Sequence, residues 1–338
     1  MNARAWSRPA VVVLALSFGG SAAAGVNQWT IVGPPVTVQA MAIDPHNDNI
    51  LYAAGQETIA RTGDGGATWT VTPLPELTEP SVIRVSASLP STLYVMDILN
   101  LFRSTSAGVA WSKRKIASSA QFPQDLQVHR ANADALVLAA ANFCFFGCTG
   151  GGVFRSDDGG GSWRGIGLKN TDVYHVAFDP ITTKTIYATS MSAVYRTTNG
   201  GDSWRVITPA GSGSVQDVAV DPVRPATVYA ATEAGIFRSF DSGQSWVLAR
   251  PADFGSAIAA PMYASRPLFV ACGGTALSFD GGSTWQELST AGSGFSFRGL
   301  WQVAVSQTIA YMVSDLGTAR GQILGYELQM PRRRTAAR

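Results

Sequence analysis

The chain has 338 residues, of which 46% are hydrophobic and 14% charged, and it contains 35 glycines and 17 prolines. This composition argues against a disordered or mainly helical protein and suits many short strands joined by tight turns. Apart from the first 24 residues and a C-terminal tail with four arginines, the chain carries 19 basic and 23 acidic residues, a net charge of −4. Such a charge is a poor match for nucleic acid, which we do not expect as a partner.

The first 24 residues have the layout of a secretory signal peptide. Arg4 and Arg8 precede an apolar run at residues 9–18, and three alanines at residues 22–24 provide small residues for cleavage. The apolar run is too short to span a bilayer comfortably, and retention as a membrane anchor is the alternative. We expect cleavage after Ala24, no transmembrane segment in the mature protein, and secretion or a periplasmic location.

Tryptophan recurs along the rest of the chain at intervals close to 40 residues. Six of these tryptophans end an eight-residue segment of the form Ser/Thr-x-Asp-x-Gly-x-Ser/Thr-Trp, here called a Trp segment. The Trp segments occupy residues 62–69, 104–111, 156–163, 197–204, 239–246 and 278–285. Two copies depart from the form, because Ser106 and Ala110 occur in one and Asn199 in another. A period of about 40 residues indicates a propeller or a solenoid.

The copy at residues 215–248 shows how one repeat forms a sheet. Residues 215–220 form a first strand that ends in an Asp-Pro turn at Asp221, and residues 227–231 form a second strand rich in β-branched and aromatic residues. A third strand follows at residues 236–239, the Trp segment forms a hairpin, and Trp246 opens a fourth strand. Four antiparallel strands in about 40 residues make one propeller blade.

The same order occurs at residues 38–71, 82–113, 125–166, 172–207 and 257–288. A last copy at residues 297–328 lacks the Trp segment and a fourth strand, which residues 29–32 can supply. The sequence therefore predicts an all-β, seven-bladed β-propeller of four-stranded antiparallel blades over residues 25–330, closed by the N-terminal strand and followed by a basic tail at residues 331–338. Closure removes exposed sheet edges, and we expect a monomer.

Cys144 and Cys148 lie four residues apart in a long loop of the third repeat. A short disulfide suits an exported protein if the geometry allows it. A metal site is the alternative, but no histidine or second cysteine pair is near. We expect no metal and no cofactor.

The Trp segments resemble the Asp boxes, or BNR repeats, of sialidases, sortilin-type receptors, xyloglucan-cleaving glycosidases and the exported assembly-factor propellers of photosynthetic membranes. The resemblance covers residues 29 to about 328 and implies that the boxes lie between third and fourth strands, opposite the usual ligand face. We expect a structural role, in which the carboxylate accepts N–H groups of its own turn and the tryptophan packs between sheets. The residues concerned are Asp64, Trp69, Asp158, Trp163, Asn199, Trp204, Asp241, Trp246, Asp280 and Trp285.

Five arginines also repeat, each directly before a Trp segment: Arg61, Arg103, Arg155, Arg196 and Arg238. Their period favours a structural role, in which the guanidinium satisfies neighbouring carbonyls or stacks on the tryptophan. A ring of arginines that binds an acidic partner is the alternative.

A binding surface is expected where the first strands begin, around the central channel. Alignment of the repeats on their Val-Ala-Val core brings one inward position into a column that varies from blade to blade: Ala40, Arg84, Gln127, His175, Asp217 and Gln302. Tyr174 and Trp301 precede two of these residues and offer stacking faces. We predict that the polar members of the column and these two aromatic residues bind a ligand, the alternatives being solvation of the channel and core packing.

Together these patterns favour an exported, non-catalytic propeller that binds a protein or glycan partner on one face. The arginine clamp and Tyr–Glu pair of a sialidase are not recognisable, and no pair of carboxylates suits glycoside hydrolysis. A sialidase-like glycoside hydrolase with its acid or base drawn from Asp97, Asp217 or Glu233 is one alternative. An assembly factor for an envelope complex is another, since one fold hosts many activities.

Overall fold

The computed structural model describes residues 29–116, 122–142, 150–251, 257–259, 268–272, 274–288, 303–305, 309–314 and 322–327. All regular secondary structure in these ranges is β strand. These ranges include no helix with the length and apolar character needed to cross a membrane. The predicted signal peptide, the basic tail, Cys144 and Cys148 lie outside them.

The described strands form seven four-stranded antiparallel sheets, here called blades 1 to 7. The first strand of the chain, β1 (Trp29–Ile31), belongs to blade 7. Blade 1 contains β2 (Ala40–Ile43), β3 (Leu51–Gly55), β4 (Thr58–Thr62) and β5 (Thr70–Pro73). Blade 2 contains β6 (Val82–Val85), β7 (Leu93–Met96), β8 (Asn100–Ser104) and β9 (Ser112–Lys115). Blade 3 contains β10 (Phe122–His129), β11 (Asn132–Ala141), β12 (Gly152–Ser156) and β13 (Arg164–Gly165).

The remaining blades continue in the same order. Blade 4 contains β14 (His175–Phe178), β15 (Ile186–Ser190), β16 (Ala193–Thr197) and β17 (Arg205–Val206). Blade 5 contains β18 (Val215–Val220), β19 (Val228–Thr232), β20 (Gly235–Ser239) and β21 (Val247–Pro251). Blade 6 contains β22 (Ala257–Ala259), β23 (Leu268–Cys272), β24 (Gly274–Ser278) and β25 (Gln286–Leu288). Blade 7 contains β26 (Val303–Val305), β27 (Ile309–Ser314), β28 (Gln322–Glu327) and β1.

Strand β1 completes blade 7 and so joins the two ends of the described chain. Trp29 pairs with Tyr326 of β28, and the Val32 N–H donates to the Ile323 carbonyl at 2.9 Å. The innermost strands β2, β6, β10, β14, β18, β22 and β26 each contact the next, and β26 contacts β2. The ring is therefore closed, and the predicted seven-bladed β-propeller is confirmed.

The second strand of each blade forms the core, because it is enclosed by its own blade and by the two neighbouring ones. Every residue of β3, β7, β15 and β19 is buried. These strands place a buried tyrosine at the same register in four blades: Tyr52, Tyr94, Tyr187 and Tyr229. The hydroxyls of Tyr94 and Tyr229 donate to carbonyls of the next blade, at 2.8 and 3.0 Å. Burial raises the pKa of each of these two tyrosines to about 12.

Each Trp segment lies at the turn between the third and fourth strands of its blade. In blade 1 the Thr62 hydroxyl accepts the Gly66 N–H at 3.1 Å and donates to Asp64 Oδ1 at 2.6 Å. The Asp64 carboxylate also accepts the N–H and the hydroxyl of Thr68, at 2.8 and 2.5 Å. Burial acts to raise the pKa of Asp64, but these hydrogen bonds outweigh it and lower the pKa. Corresponding bonds surround Asp158, Asn199, Asp241 and Asp280.

The tryptophan of most Trp segments ties its blade to the preceding one. The indole N–H donates to a main-chain carbonyl in or just after the outer strand of that blade, over 2.6–3.2 Å. The pairs are Trp69 with Val32, Trp204 with Ile166, Trp246 with Ile207, and Trp285 with Ala249. Each tryptophan thereby combines apolar packing between sheets with a directional bond.

The indoles of the other two Trp segments make no such bond to the preceding blade among the described residues. The Trp111 indole donates to Gly108 of its own turn at 3.0 Å, and the Trp163 Nε1 is buried without an acceptor among the described residues. Between blades 2 and 3, Arg114 of β9 instead donates to the Gly159 carbonyl at 2.8 Å. A guanidinium from the outer strand therefore supplies the link that the Trp163 indole does not make.

The five repeated arginines contact a second-strand tyrosine or the following blade. Arg61, Arg103 and Arg196 lie over the rings of Tyr52, Tyr94 and Tyr187, each 5.8 Å from the ring centroid. Arg103, Arg155 and Arg238 also donate to Asp134, Thr183 and Gly281 of the following blade. These contacts favour the structural role over a ring for an acidic partner, although the stacking partner is a tyrosine and not the expected tryptophan.

Replacement of Asp64 by alanine should destabilise the propeller by about 1 kcal/mol, because the Thr68 N–H and two hydroxyls lose their acceptor. Asp64→Asn should cost clearly less, since Asn199 holds the corresponding turn of blade 4 through the Ser203 N–H. Urea unfolding of the two variants beside the wild type measures both effects. Equal losses in the two variants would contradict the turn-stabilising role.

Candidate functional site

The two ends of the propeller are built from different parts of the repeat. The turns between first and second strands share one end with the Trp segments, and this end is called the Trp face. The Gly65 N–H of a Trp segment, for example, donates to the Asn49 carbonyl of the first turn in the same blade at 2.9 Å. The starts of the first strands and the turns between second and third strands form the opposite end, called the turn face.

The inward column predicted from the sequence does not occupy one register. His175 pairs with Thr189 and Asp217 pairs with Ala231, and Ala40 holds the equivalent place in blade 1. Arg84 and Gln127 instead lie two residues further along their strands, where they pair with Tyr94 and Val137 of the second strands. The alignment failed in blades 2 and 3 because their first strands lack the central alanine of the aligned core, in whose place Arg84 and Gln127 stand.

Correct alignment reveals a residue that the sequence analysis did not select. In blade 3 the register of His175 and Asp217 belongs to Asp125, and in blade 2 to Val82. Asp125 precedes Leu-Gln-Val just as Asp217 precedes Val-Ala-Val, and this similarity was the available signal.

Polar side chains link consecutive innermost strands, each towards the next blade. Arg84 Nη2 of blade 2 donates to Asp125 Oδ1 of blade 3 at 2.8 Å. The buried Asp125 carboxylate also accepts the Gln127 amide at 3.3 Å and the Val176 N–H of blade 4 at 3.2 Å. Three blades therefore converge on one carboxylate, which satisfies the requirement that a buried charge be compensated.

The same arrangement continues into blade 5, where Asp217 Oδ1 lies 3.6 Å from His175 Nδ1. Asp217 Oδ1 also accepts the N–H of Val218 at 2.7 Å, which fixes the orientation of the carboxylate. The residues that line blades 2 to 5 in this way are called the inner polar set: Arg84, Asp125, Gln127, His175 and Asp217.

Long polar side chains are exceptional at the first-strand register that pairs with Tyr94 in blade 2 and with the equivalent second-strand residue in the other blades. In the described strands this position is alanine in blades 1, 4, 5, 6 and 7: Ala42, Ala177, Ala219, Ala259 and Ala304. Blades 2 and 3 carry Arg84 and Gln127 there. Alanine has no polar side-chain group that needs a hydrogen-bond partner at this position. Arg84 and Gln127 therefore distinguish the side of the ring formed by blades 2 and 3 from the other blades.

Exposed apolar side chains occur on the same side of the ring. Ile98 and Leu99 form the turn between β7 and β8, Phe122 begins β10, and Met191 follows β15. All four belong to the turn face of blades 2 to 4 and are 41–68% exposed. The corresponding turn of blade 5 carries Glu233. These four residues, Ile98, Leu99, Phe122 and Met191, are called the apolar rim.

Two carboxylates predicted as candidate acids are engaged in local turns. Asp97 is buried and accepts the N–H groups of Leu99 and Asn100, at 2.7 and 2.6 Å. Glu233 is exposed, and hydrogen bonds from the Ser214 N–H and hydroxyl lower its pKa. A lowered pKa makes a carboxyl group a poor proton donor near neutral pH. The geometry therefore favours structural roles for both.

The other predicted site residues are placed as follows. Tyr174 directly precedes β14. Its pKa is raised, mainly by burial and to a smaller extent by the negative charge of Asp172. Trp301 and Gln302 lie outside the described ranges. Within those ranges no group of three or more His, Cys, Asp or Glu side chains could hold a metal ion.

At the Trp face, an ordered side chain connects two blades that are not neighbours. Arg130 of blade 3 donates to the Pro222 carbonyl of blade 5 at 2.9 Å. The preceding residue, His129, is buried; its Nδ1 accepts the Ala131 N–H at 3.3 Å, and its ring meets Phe178 of blade 4 edge-on at 5.1 Å. Burial lowers the pKa of His129, against an opposing effect of the Asp179 backbone.

Comparison with known proteins identifies the fold of this chain but not a family to which it belongs. No protein-family model and no curated protein matches the chain. A solved structure of YCF48 bound to a D1 peptide is 17% identical, with a TM-score of 0.65 over 94% of this chain and 99% of that one. An ancestral GH74 enzyme is 18% identical, with a TM-score of 0.63 over 90% of this chain and 48% of that one. Virginiamycin B lyase from Staphylococcus aureus is 12% identical, with a TM-score of 0.66 over 89% and 99%.

The stability of the propeller should fall as the pH drops through about 6.5, the ordinary histidine pKa, because of His129. Below that value the unfolded chain binds a proton at His129 that the folded protein, with its lowered pKa, does not bind. His129→Asn should reduce this pH dependence, since an amide oxygen can accept the Ala131 N–H without titrating. Melting temperatures between about pH 7.5 and about pH 5 give the comparison, and parallel curves for the two proteins would refute the assignment.

Proposed function

We propose that this protein is an exported, non-catalytic propeller of the Asp-box type that binds a protein partner on its turn face. The proposed site is the sector of blades 2 to 5. The observation that carries the proposal is the coincidence of the inner polar set and the apolar rim on one side of the ring. Apolar side chains placed beside a few fixed polar groups are typical of binding sites.

Two further parts of the proposal rest on the sequence and on the turns. The Asp-box assignment is supported by the hydrogen bonds of the Trp segments, in which Asp64 and its counterparts bond the hydroxyl and N–H groups of their own turn. Export is supported by residues 1–24, which combine two arginines, an apolar run and three alanines.

The choice of a protein partner rests on the apolar rim. Ile98, Leu99 and Met191 are exposed aliphatic side chains, which suit contact with apolar side chains better than stacking on sugar rings. The fold itself is shared by YCF48, solved with a D1 peptide, and by GH74 enzymes. The fold alone therefore does not discriminate between a protein partner and a glycan. An assembly factor for an envelope complex would be one form of this function, and a glycan ligand is an outcome that the experiment below can detect.

A hydrolytic function finds less support in the same site. Glycoside hydrolysis requires two carboxyl groups with different proton affinities on either side of the scissile bond. Of the three candidates, Asp97 and Glu233 are engaged in turns, which leaves Asp217 beside His175. A single carboxylate next to an imidazole fits ligand orientation better than this chemistry.

Replacement of Ile98 and Leu99 by asparagine should abolish partner capture without loss of stability, because both side chains are exposed. The matched control replaces Ile181 and Val223, which are exposed on the Trp face, by asparagine. Capture of envelope proteins by the immobilised mature protein is quantified by mass spectrometry, beside a glycan array. The proposal fails if both double variants capture the same molecules as the wild type, or if only the control loses them.

The wild type should release no sugar from xyloglucan or from sialylated oligosaccharides, and Asp217→Asn should behave identically. Reducing-sugar and sialic-acid release assays measure this directly. Hydrolysis by the wild type that disappears in Asp217→Asn, with an unchanged melting temperature, would instead establish the glycoside hydrolase.

A further inference from the structure

The inner polar set leaves several hydrogen-bonding atoms accessible to solvent. Arg84 donates to the Ile83 carbonyl from Nη1 and to Asp125 from Nη2, and Gln127 donates to Asp125 from Nε2. Arg84 Nε, Gln127 Oε1 and His175 Nε2 make no hydrogen bond to the described residues and are not among the buried unpaired atoms. These three atoms are therefore open to a ligand.

The open atoms alternate in character along three consecutive blades. Arg84 offers a donor in blade 2, Gln127 an acceptor in blade 3, and His175 Nε2 of blade 4 can do either. Hydrogen bonds to Asp125 orient the first two side chains, and Asp217 Oδ1 lies 3.6 Å from the imidazole of the third. A polypeptide main chain also presents alternating acceptors and donors, one carbonyl and one N–H per residue.

We propose that the partner enters this site as an extended polypeptide segment, whose main chain is bound by Arg84, Gln127 and His175. Apolar side chains of the segment contact the apolar rim. This inference rests on the proposed function, because it names the form in which a protein partner is bound at the same sector.

The depth of the site favours an extended segment over a folded surface. The side chains of Arg84 and His175 are 27% and 37% exposed, and they lie beside the more deeply buried carboxylates of Asp125 and Asp217, at 6% and 17%. A single extended chain can reach such partly buried groups and contact the rim at the same time more easily than the surface of a folded domain can. The charges also disfavour a phosphate-bearing ligand, because Asp125 already neutralises Arg84.

The test selects peptides from a random phage-displayed library on the immobilised mature protein and measures their synthetic forms by fluorescence anisotropy. Gln127→Ala and Arg84→Lys should each weaken binding about tenfold, the effect of one lost hydrogen bond. Methylation of single main-chain amides of the peptide should cause a similar loss at one or two consecutive positions. The matched controls are Gln244→Ala and Arg224→Lys; both residues belong to the Trp face, and Arg224 is likewise paired, with Asp221 at 2.9 Å.

The outcomes separate this inference from the proposed function. Peptides that depend on Leu99 but not on Gln127, Arg84 or any main-chain amide would overturn main-chain recognition and leave partner binding intact. Binding of glycans alone, with loss in Gln127→Ala, would overturn the polypeptide class while leaving a ligand site in the same sector. Peptides and glycans that ignore every turn-face substitution would overturn both.

Discussion

Side chains that cross from one sheet to the next hold this propeller together, because a four-stranded sheet alone buries too little apolar surface to be stable. Most of the tryptophans bond back to the preceding blade, whereas two of the buried tyrosines and three of the third-strand arginines bond forward. A boundary such as that between blades 5 and 6 is therefore fixed from both sides, by Trp285, Tyr229 and Arg238. Strand β1 gives the last boundary the same continuity, since Val32 bonds both Ile323 and Trp69.

These repeated contacts separate structural residues from candidate functional ones. A residue type that returns in most blades serves the boundary, as the third-strand arginines of blades 1 to 5 do. A residue that departs from its repeat is a candidate for a functional role specific to its blade. Arg84 is such a residue, because five other blades have alanine at its position. An arginine therefore indicates a structural role on the third strands and a candidate functional role at Arg84. The chemistry of the side chain alone would not distinguish the two roles.

The sequence predicted the architecture because the Trp segment and the strand pattern are local signals, repeated at each blade. The inner register in blades 2 and 3 was predicted wrongly, because their first strands have Arg84 and Gln127 where the aligned core has alanine. Asp125 was missed because its role depends on Arg84, 41 residues away, and on Val176, 51 residues away. The apolar rim was missed for a related reason: Ile98, Phe122 and Met191 share no motif, and they come to the same face only once the blades close into a ring.

The position of Asp125 also connects the fold to the candidate site. A buried carboxylate is tolerated only when its charge is compensated, and here the compensation comes from blades 2, 3 and 4 together. Any change in the spacing of these blades would expose or orphan the charge, so the sector resists deformation. A site whose polar groups are already oriented loses little entropy when a ligand binds. The contacts that close the ring therefore also fix the groups that we propose bind the partner.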